Sequence, residues 1–281
     1  VNQKAKSFSG QAWVAEQIHQ YLEDENYKDP ELSAVQDEHV SLGSPIQDRY
    51  SLRCAPQILG PVYETIQNIE EWVALEIEGV SDNPLIDDES YEFSMGGNFY
   101  GGYMGQGMDY LKICLCHMAD MMDRQMIFLI DPKANRGLPA NLIAPEGAPI
   151  HHGLKGVHQS MSAITSEVVA KAFPNGVLSR SAESHNQDKV SLGLSAGVQC
   201  SSMIEETFDM MSLHLVAITQ ALDLRGEKLK SKGLGEMYAR VRDRVSFLDK
   251  DRQLDGEIKK LRQLLVNESK KELGASDARN L

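Results

Sequence analysis

The feature that most constrains this chain is the spacing of its apolar residues in long stretches without glycine or proline. From Met108 to Ile130, Met108, Leu111, Leu115, Met118, Met122 and Leu129 recur three, four or seven positions apart. From Phe208 to Leu222 the steps through Met211, Leu215, Ile218 and Leu222 are strictly three and four. Strand side chains alternate with a period of two, so this period belongs to helices with one apolar stripe. Stripes this narrow need facing helices to cover them, which predicts an all-α fold built as a bundle of long helices, with seams between subunits. The Met-rich stripe reads most simply as adaptable core filler.

The same period predicts helices over Ser9–Leu22 and from Val62 through Ile66, Ile69, Val73 and Ile77. The second should stop near Gly79, before the turn-forming Ser81-Asp82-Asn83-Pro84. Further helices are predicted from about Met104 to Asp131-Pro132, through Val157, Met161, Ile164 and Val168, and through Ile258, Leu261 and Leu265. The polar stretch from Glu23 to Ser44 reads as a connection, and the segment from about Ser269 as a disordered tail. A rise in charge beyond Gly226 divides the chain into residues 1–225, a central bundle, and residues 226–281, a helical cap and tail.

A net charge of −13 argues against a nucleic-acid partner or an anionic membrane surface, both of which need concentrated Lys and Arg. No apolar run reaches membrane-spanning length. The start, Val1-Asn2-Gln3-Lys4, has neither an initiator Met nor a signal-peptide core, so a cytoplasmic protein cut at its first residue is predicted. The four cysteines, Cys54, Cys114, Cys116 and Cys200, form no CxxC pair and read as reduced core thiols rather than metal ligands; no metal is expected.

Three segments break the helical texture. In Pro45–Gln57, Gln47, Tyr50 and Arg53 fall every third position, so a helical turn would align an amide, a phenol and a guanidinium able to grip a carboxylate. The plainer reading is a surface arginine and an interface tyrosine. In Ser81–Tyr103, the run Met95-Gly96-Gly97-Asn98-Phe99-Tyr100-Gly101-Gly102 lets backbone approach a ligand or a neighbouring helix, or is a plain turn. It lacks the Lys-Ser/Thr of a phosphate loop. In Gly153–Gly193, Lys155 precedes Glu183, Ser184, His185, Asn186, Gln187 and Asp188. This cluster suits either capping of the helix that follows or a charge pair, Glu183 with Lys155, tuned to an amine-bearing substrate. HExxH, GxSxG and GxxxxGK[ST] are absent.

Taken together, the segments resemble the ammonia-lyase and aminomutase family that uses a methylideneimidazolone electrophile. The motifs are Gln47-Asp48-Arg49-Tyr50-Ser51-Leu52-Arg53-Cys54 with Pro56-Gln57, Ser81-Asp82-Asn83-Pro84-Leu85, Gly96-Gly97-Asn98-Phe99, Gly137-Leu138-Pro139, and His185-Asn186-Gln187-Asp188 with Ser191-Leu192-Gly193. The resemblance runs from Ser9-Gly10-Gln11 to at least Arg225. Leu154-Lys155-Gly156 and Ser181-Ala182-Glu183 look like the phenylalanine-type enzymes; histidine-type members usually lack this Lys, and tyrosine-type members often carry Asn near Glu183.

The resemblance implies the C-terminal half of a phenylalanine ammonia-lyase, a carbon–nitrogen lyase making trans-cinnamate for phenylpropanoid metabolism. It implies a fumarase/aspartase-like bundle in a cytoplasmic homotetramer, each active site assembled from three subunits. Arg53 would pair with the substrate carboxylate and Tyr50 would sit beside the electrophile. Gln47 and Asn83 would donate hydrogen bonds around the carboxylate and imidazolone, and Phe99 would shield the electrophile. Glu183, Asn186 and Gln187 would line the amine side, with Lys155 as partner of Glu183. The Ala-Ser-Gly that cyclises into the electrophile (4-methylidene-imidazole-5-one, MIO) does not occur in these residues, so the missing N-terminal half is the implied partner. Tyr100 stands where the family commonly has His. The alternatives are a phenylalanine 2,3-aminomutase, a tyrosine or histidine ammonia-lyase and, from another class, a non-catalytic helical subunit or a small-molecule-binding bundle.

Overall fold

The computed structural model describes residues 5–22, 25, 47–145, 150–226 and 228–277, with side chains to 271. The connection expected over Glu23–Ser44 lies, except for Glu25, outside the described residues, as do Pro45 and Ile46. Eight helices dominate them: α1 (Ser9–Leu22), α2 (Tyr50–Arg53), α3 (Ala55–Glu78), α4 (Gly102–Ile130), α5 (Lys155–Lys171), α6 (Gly193–Arg225), α7 (Lys232–Arg242) and α8 (Asp255–Asp277). Between α3 and α4 stands an antiparallel hairpin, β1 (Leu85–Asp87) paired with β2 (Glu92–Ser94), Ile86 opposite Phe93. It was not expected; three-residue strands are too short to show a period.

The helix limits follow the apolar period, with two corrections. α3 starts earlier than the stripe from Val62, because Pro56 suits a first helical turn; Pro61, inside the helix, gives up one backbone hydrogen bond without ending it. α8 continues through Ser269 to Asp277, so the tail expected to be disordered is helical to that point. Lys270, Lys271, Glu272, Leu273 and Ala275 are good helix formers, and Gly274 alone does not stop them.

Contacts along the helices fix their directions. α4 and α6 run parallel: Gly105 lies against Gly193 at their starts, and Arg225 donates to the Asn135 carbonyl (2.9 Å) beyond their ends. A Cβ on Gly193 would come within 3.2 Å of the Gly105 Cα, so the absence of side chains here lets the two backbones close together. α5 runs antiparallel to α4, Ser162 bonding to Asp123 (2.9 Å) while Phe173, just past α5, meets Lys112. α3 is antiparallel as well, Ser51 accepting from Gln125 (2.8 Å) and Ile69 and Trp72 packing on Gly107.

The core lies where α4, α5 and α6 face one another. Met126, Met161, Met203 and Met210 are fully buried there, with Leu115, Met122, Leu213 and Val216 around them. Val241, Val245, Leu248, Leu261 and Leu265 belong to the same cluster, so the segments beyond Gly226 fold back on α6. α1 packs separately, on α3. A Cβ on Gly60 would stand 2.7 Å from the Gln11 Cα, and Glu64 accepts from the Ser9 hydroxyl (2.6 Å) and Gly10 N–H (2.7 Å), which hold its carboxyl below the usual range. Cys114 and Cys200 are buried free thiols, and Cys54 and Cys116 are half-buried; burial pushes Cys200 up to about 11.

Candidate active site

The predicted site residues gather at two opposite ends of this bundle. At the C-terminal end of α4, α2 forms one turn, anchored by the Gln125 bond to Ser51 and by the Arg49 guanidinium 4.9 Å from the centre of the Phe128 ring. Tyr50 and Arg53 point outward, with the Arg53 guanidinium 4.6 Å from the Tyr50 ring centre. Gln47 precedes the helix in a bend, so the alignment of all three along one helical face is not formed; only Tyr50 and Arg53 share the turn. Among the described residues Arg53 has no ion-pair partner.

On the opposite side of this turn, Asp48 and Leu52 border a cavity of about 430 Å³ with Gln125, Asn135, His214 and Arg225. Burial drives His214 down to about 4, so it is neutral there at neutral pH. Lys155 lies at this end too. It opens α5, exposed, beside Leu154, whose N–H bonds the Asn141 carbonyl (2.8 Å).

The N-terminal end of α4 carries the other residues. Asn83 accepts from the Gly96 N–H (3.0 Å) and Asn98 donates to the Val80 carbonyl (3.4 Å), so two side-chain amides close the base of the hairpin. Phe99 follows, 56% exposed. Beside it Trp72, Tyr100, Tyr103 and Tyr110 line a cavity of about 550 Å³ that also reaches Asp109 and Lys189.

Glu183, Asn186 and Gln187 form a small knot at this same end. Ala182 and Gln187 exchange backbone hydrogen bonds (2.8 and 3.3 Å), Asn186 donates to Glu183 (3.0 Å), and Ser181 and His185 are joined at 2.8 Å. Glu183, Ser184 and His185 are all left-handed (φ 48°, 52° and 72°), a run costly for side-chain-bearing residues. The knot does not cap α6, which starts at Gly193 after Leu192 without a side-chain cap. The capping reading is thereby replaced by that of a shaped, exposed loop.

A single chain does not join the two groups. Their anchors on α4, Gln125 and Asp109, are sixteen residues apart (125 − 109), roughly 24 Å along a helix axis. Lys155 and Glu183 are likewise held apart within one chain, with the seventeen residues of α5 between them, roughly 25 Å. Neither do Arg53 and Glu183 face one cavity within the chain.

Sequence reasoning missed the group that holds the Glu183 end in place. Lys112, on the buried face of α4, is fully buried; it pairs with Asp109 (3.1 Å) and donates to the Phe173 carbonyl (2.7 Å), Gln199 (3.0 Å) and Asn175. Asp109 accepts from the N–H groups of Asn175 (2.7 Å) and Gly176 (2.8 Å). The available signal was an acid and a base three apart, Asp109 and Lys112, within the mostly apolar run Met108–Cys116.

Among the described residues no group of three or more His, Cys, Asp or Glu could hold a metal, and no helix is long and apolar enough to cross a membrane. The residues flanking Phe99 suit a planar, carbonyl-bearing electrophile. Its ring is exposed, the Asn83 amide N–H groups have no partner among the described residues, and Cβ atoms on Gly96 and Gly97 would meet nothing within 4 Å.

Comparison with known proteins points the same way. Residues 1–243 match the family model described as aromatic amino acid lyase. The chain is 31% identical to histidine ammonia-lyase of Treponema denticola over 79% of its own length and 44% of the relative's. Among solved structures it resembles the Pantoea agglomerans phenylalanine aminomutase (32% identity, TM-score 0.87, covering 94% of this chain and 52% of that one). It also resembles phenylalanine ammonia lyase from Rhodosporidium toruloides (28% identity, TM-score 0.68, 78% and 31%). The chain thus spans about half the length of the curated relatives it matches.

Proposed function

The chain belongs to the aromatic amino acid lyase family, and from that premise we propose that it supplies two separate parts of composite active sites in an ammonia-lyase acting on L-phenylalanine. The observation that carries the reading is an exposed guanidinium at Arg53, stacked on Tyr50 and with no ion-pair partner among the described residues, at the opposite end of the bundle from the Glu183 loop. Two half-sites about 24 Å apart serve one small amino acid only if different subunits contribute them, which supports an oligomer, and the family resemblance makes it a homotetramer.

The reaction is difficult because the β-hydrogen is barely acidic and the α-ammonium is a poor leaving group. A methylideneimidazolone held beside Asn83 and Phe99 would supply an electrophilic carbon, the chemistry that makes an amine a better leaving group. This chain's residues bind and orient. Arg53 holds the carboxylate in a two-bond fork, with Gln47 adding a hydrogen bond at the same end. Tyr50 would sit beside the electrophile, its hydroxyl able to hold a proton. Asn83 would donate a hydrogen bond to that group, and Phe99 would keep water from its face. Glu183, with Asn186 and Gln187, receives the ammonium; Lys155 of another subunit would be the group that balances Glu183.

The relatives support two other products. Similarity to a phenylalanine aminomutase favours return of ammonia to the β-carbon, and the histidine ammonia-lyases favour an imidazole substrate. Leu154-Lys155-Gly156 with Glu183 favours phenylalanine over histidine. The test is product analysis on the full-length polypeptide that carries this chain, given phenylalanine, tyrosine and histidine separately. Trans-cinnamate with stoichiometric ammonia is expected from phenylalanine. Sustained β-phenylalanine with little cinnamate would make it a mutase, and ammonia from histidine alone would overturn the substrate. The 281 residues by themselves should be inactive.

A further inference from the structure

We propose that Lys112 is a positioning residue for the Glu183 loop: it holds the substrate-facing loop in its binding conformation from inside the bundle, without touching substrate. The inference rests on the reading of Glu183 as the amine-side residue. The loop leaves α5 through the turn Phe173–Gly176, and that turn is fastened to α4 by four hydrogen bonds. Lys112 takes the Phe173 carbonyl and the Asn175 side chain; Asp109, paired with Lys112, takes the N–H groups of Asn175 and Gly176. At its far foot the hydrogen bonds among the described residues stay within the loop, Val190 N–H to Ser179 (2.8 Å) and Lys189 to the Gly176 carbonyl (3.4 Å).

Everything between the feet from Arg180 to Lys189 is exposed, and three successive residues sit in the left-handed region. An exposed, strained segment relaxes unless its ends are over-determined. Here the determination comes from a fully buried ammonium whose partners lie on α4, the turn and α6. A buried ammonium is costly to leave under-bonded, and drift of the turn would take from Lys112 two of its acceptors, the Phe173 carbonyl and the Asn175 side chain, leaving only Asp109 and Gln199.

Loss of positioning has a kinetic signature distinct from loss of stability. If only a fraction of molecules holds the competent loop, apparent substrate affinity falls by that fraction, while saturating substrate restores the bound state. KM should therefore rise with kcat nearly unchanged. A purely structural defect instead lowers the amount of active protein, reducing kcat per total protein with KM unchanged.

The experiment uses three variants of the full-length protein. Lys112→Met removes the ammonium. Asn175→Ala and Gln199→Ala each remove one of its acceptors, the first on the loop side and the second on α6. Lys112→Met and Asn175→Ala should raise KM about tenfold and speed hydrogen exchange over residues 173–190 by about tenfold or more, with Gln199→Ala near wild type in both. Equal effects from Asn175→Ala and Gln199→Ala, or unchanged exchange in Asn175→Ala, would overturn the proposal even if Lys112→Met fails to fold. Exchange is read without substrate, so an inactive wild type would sink the functional reading while leaving loop positioning separately measurable.

Discussion

The two ends of the bundle carry their polar residues in different ways. At the Glu183 end a strained loop is fastened through buried charge, Lys112 and Asp109, to α4. At the Arg53 end a single turn of helix rests on one amide bond from Gln125 and a stacked guanidinium, and its charged side chain stands free. Shape that the local sequence resists needs an internal clamp. A side chain whose work is to meet a charge from outside needs only to be left unpaired.

That contrast predicts that the Arg53 end can be emptied of function without touching stability. Arg53→Ala in the full-length protein should lower kcat/KM by about a hundredfold or more, since truncating one member of a hydrogen-bonded charge pair costs several kcal/mol. Its unfolding free energy should stay within about 0.5 kcal/mol of wild type, because the side chain is exposed and unpaired. A comparable loss of stability in urea unfolding would mean that Arg53 is structural. The opposite case lies between the ends. Met161→Ala, at a fully buried position in the α4–α5–α6 core, should cost about 2–5 kcal/mol with KM unchanged.

The ends also differ towards acid. His214, behind α2, is neutral in the folded chain because burial depresses it from 6.5 to about 4. Between those values the unfolded chain binds the proton and the folded chain does not, so stability is fully present above about pH 6.5 and falls as pH drops towards 4. The loss should approach about 2–3 kcal/mol, allowing for partial exposure of the ring. His214→Gln should flatten that limb of a plot of urea-unfolding free energy against pH. An unchanged slope would show that the ring is hydrated.

The contrast was only partly legible in the sequence. The helices were, because an apolar residue every three or four positions decides the matter locally, from Val62 to Ile77 and from Phe208 to Leu222. Tyr50, Arg53, Asn83, Phe99 and Glu183 were recognisable as residues foreign to a scaffold. Their sorting to two ends was not, because it depends on α5 running antiparallel to α4, a tertiary fact with no trace in spacing. That Lys155 and Glu183 lie at different ends of one chain was hidden for the same reason: twenty-eight residues say nothing about direction once a helix fills seventeen of them. The hairpin and the Lys112 clamp stayed hidden because short strands show no period and an acid–base pair three apart looks the same in sequence whether it is buried or on the surface.

The smallest effect should come from the clamped end, where charge rather than shape is altered. Glu183→Gln keeps an oxygen to accept from Asn186, and the backbone exchange between Ala182 and Gln187 does not involve the side chain. The loop therefore keeps its form, and unfolding free energy should move by less than about 0.5 kcal/mol. What is lost is one negative charge beside the incoming ammonium. A partly solvated charge contact is worth on the order of 1 kcal/mol, so KM should rise by no more than about tenfold with hydrogen exchange over 173–190 unchanged. An effect as large as that of Arg53→Ala would put the two ends on an equal footing and make the loop's carboxylate part of the chemical step; none would move the ammonium's contact elsewhere.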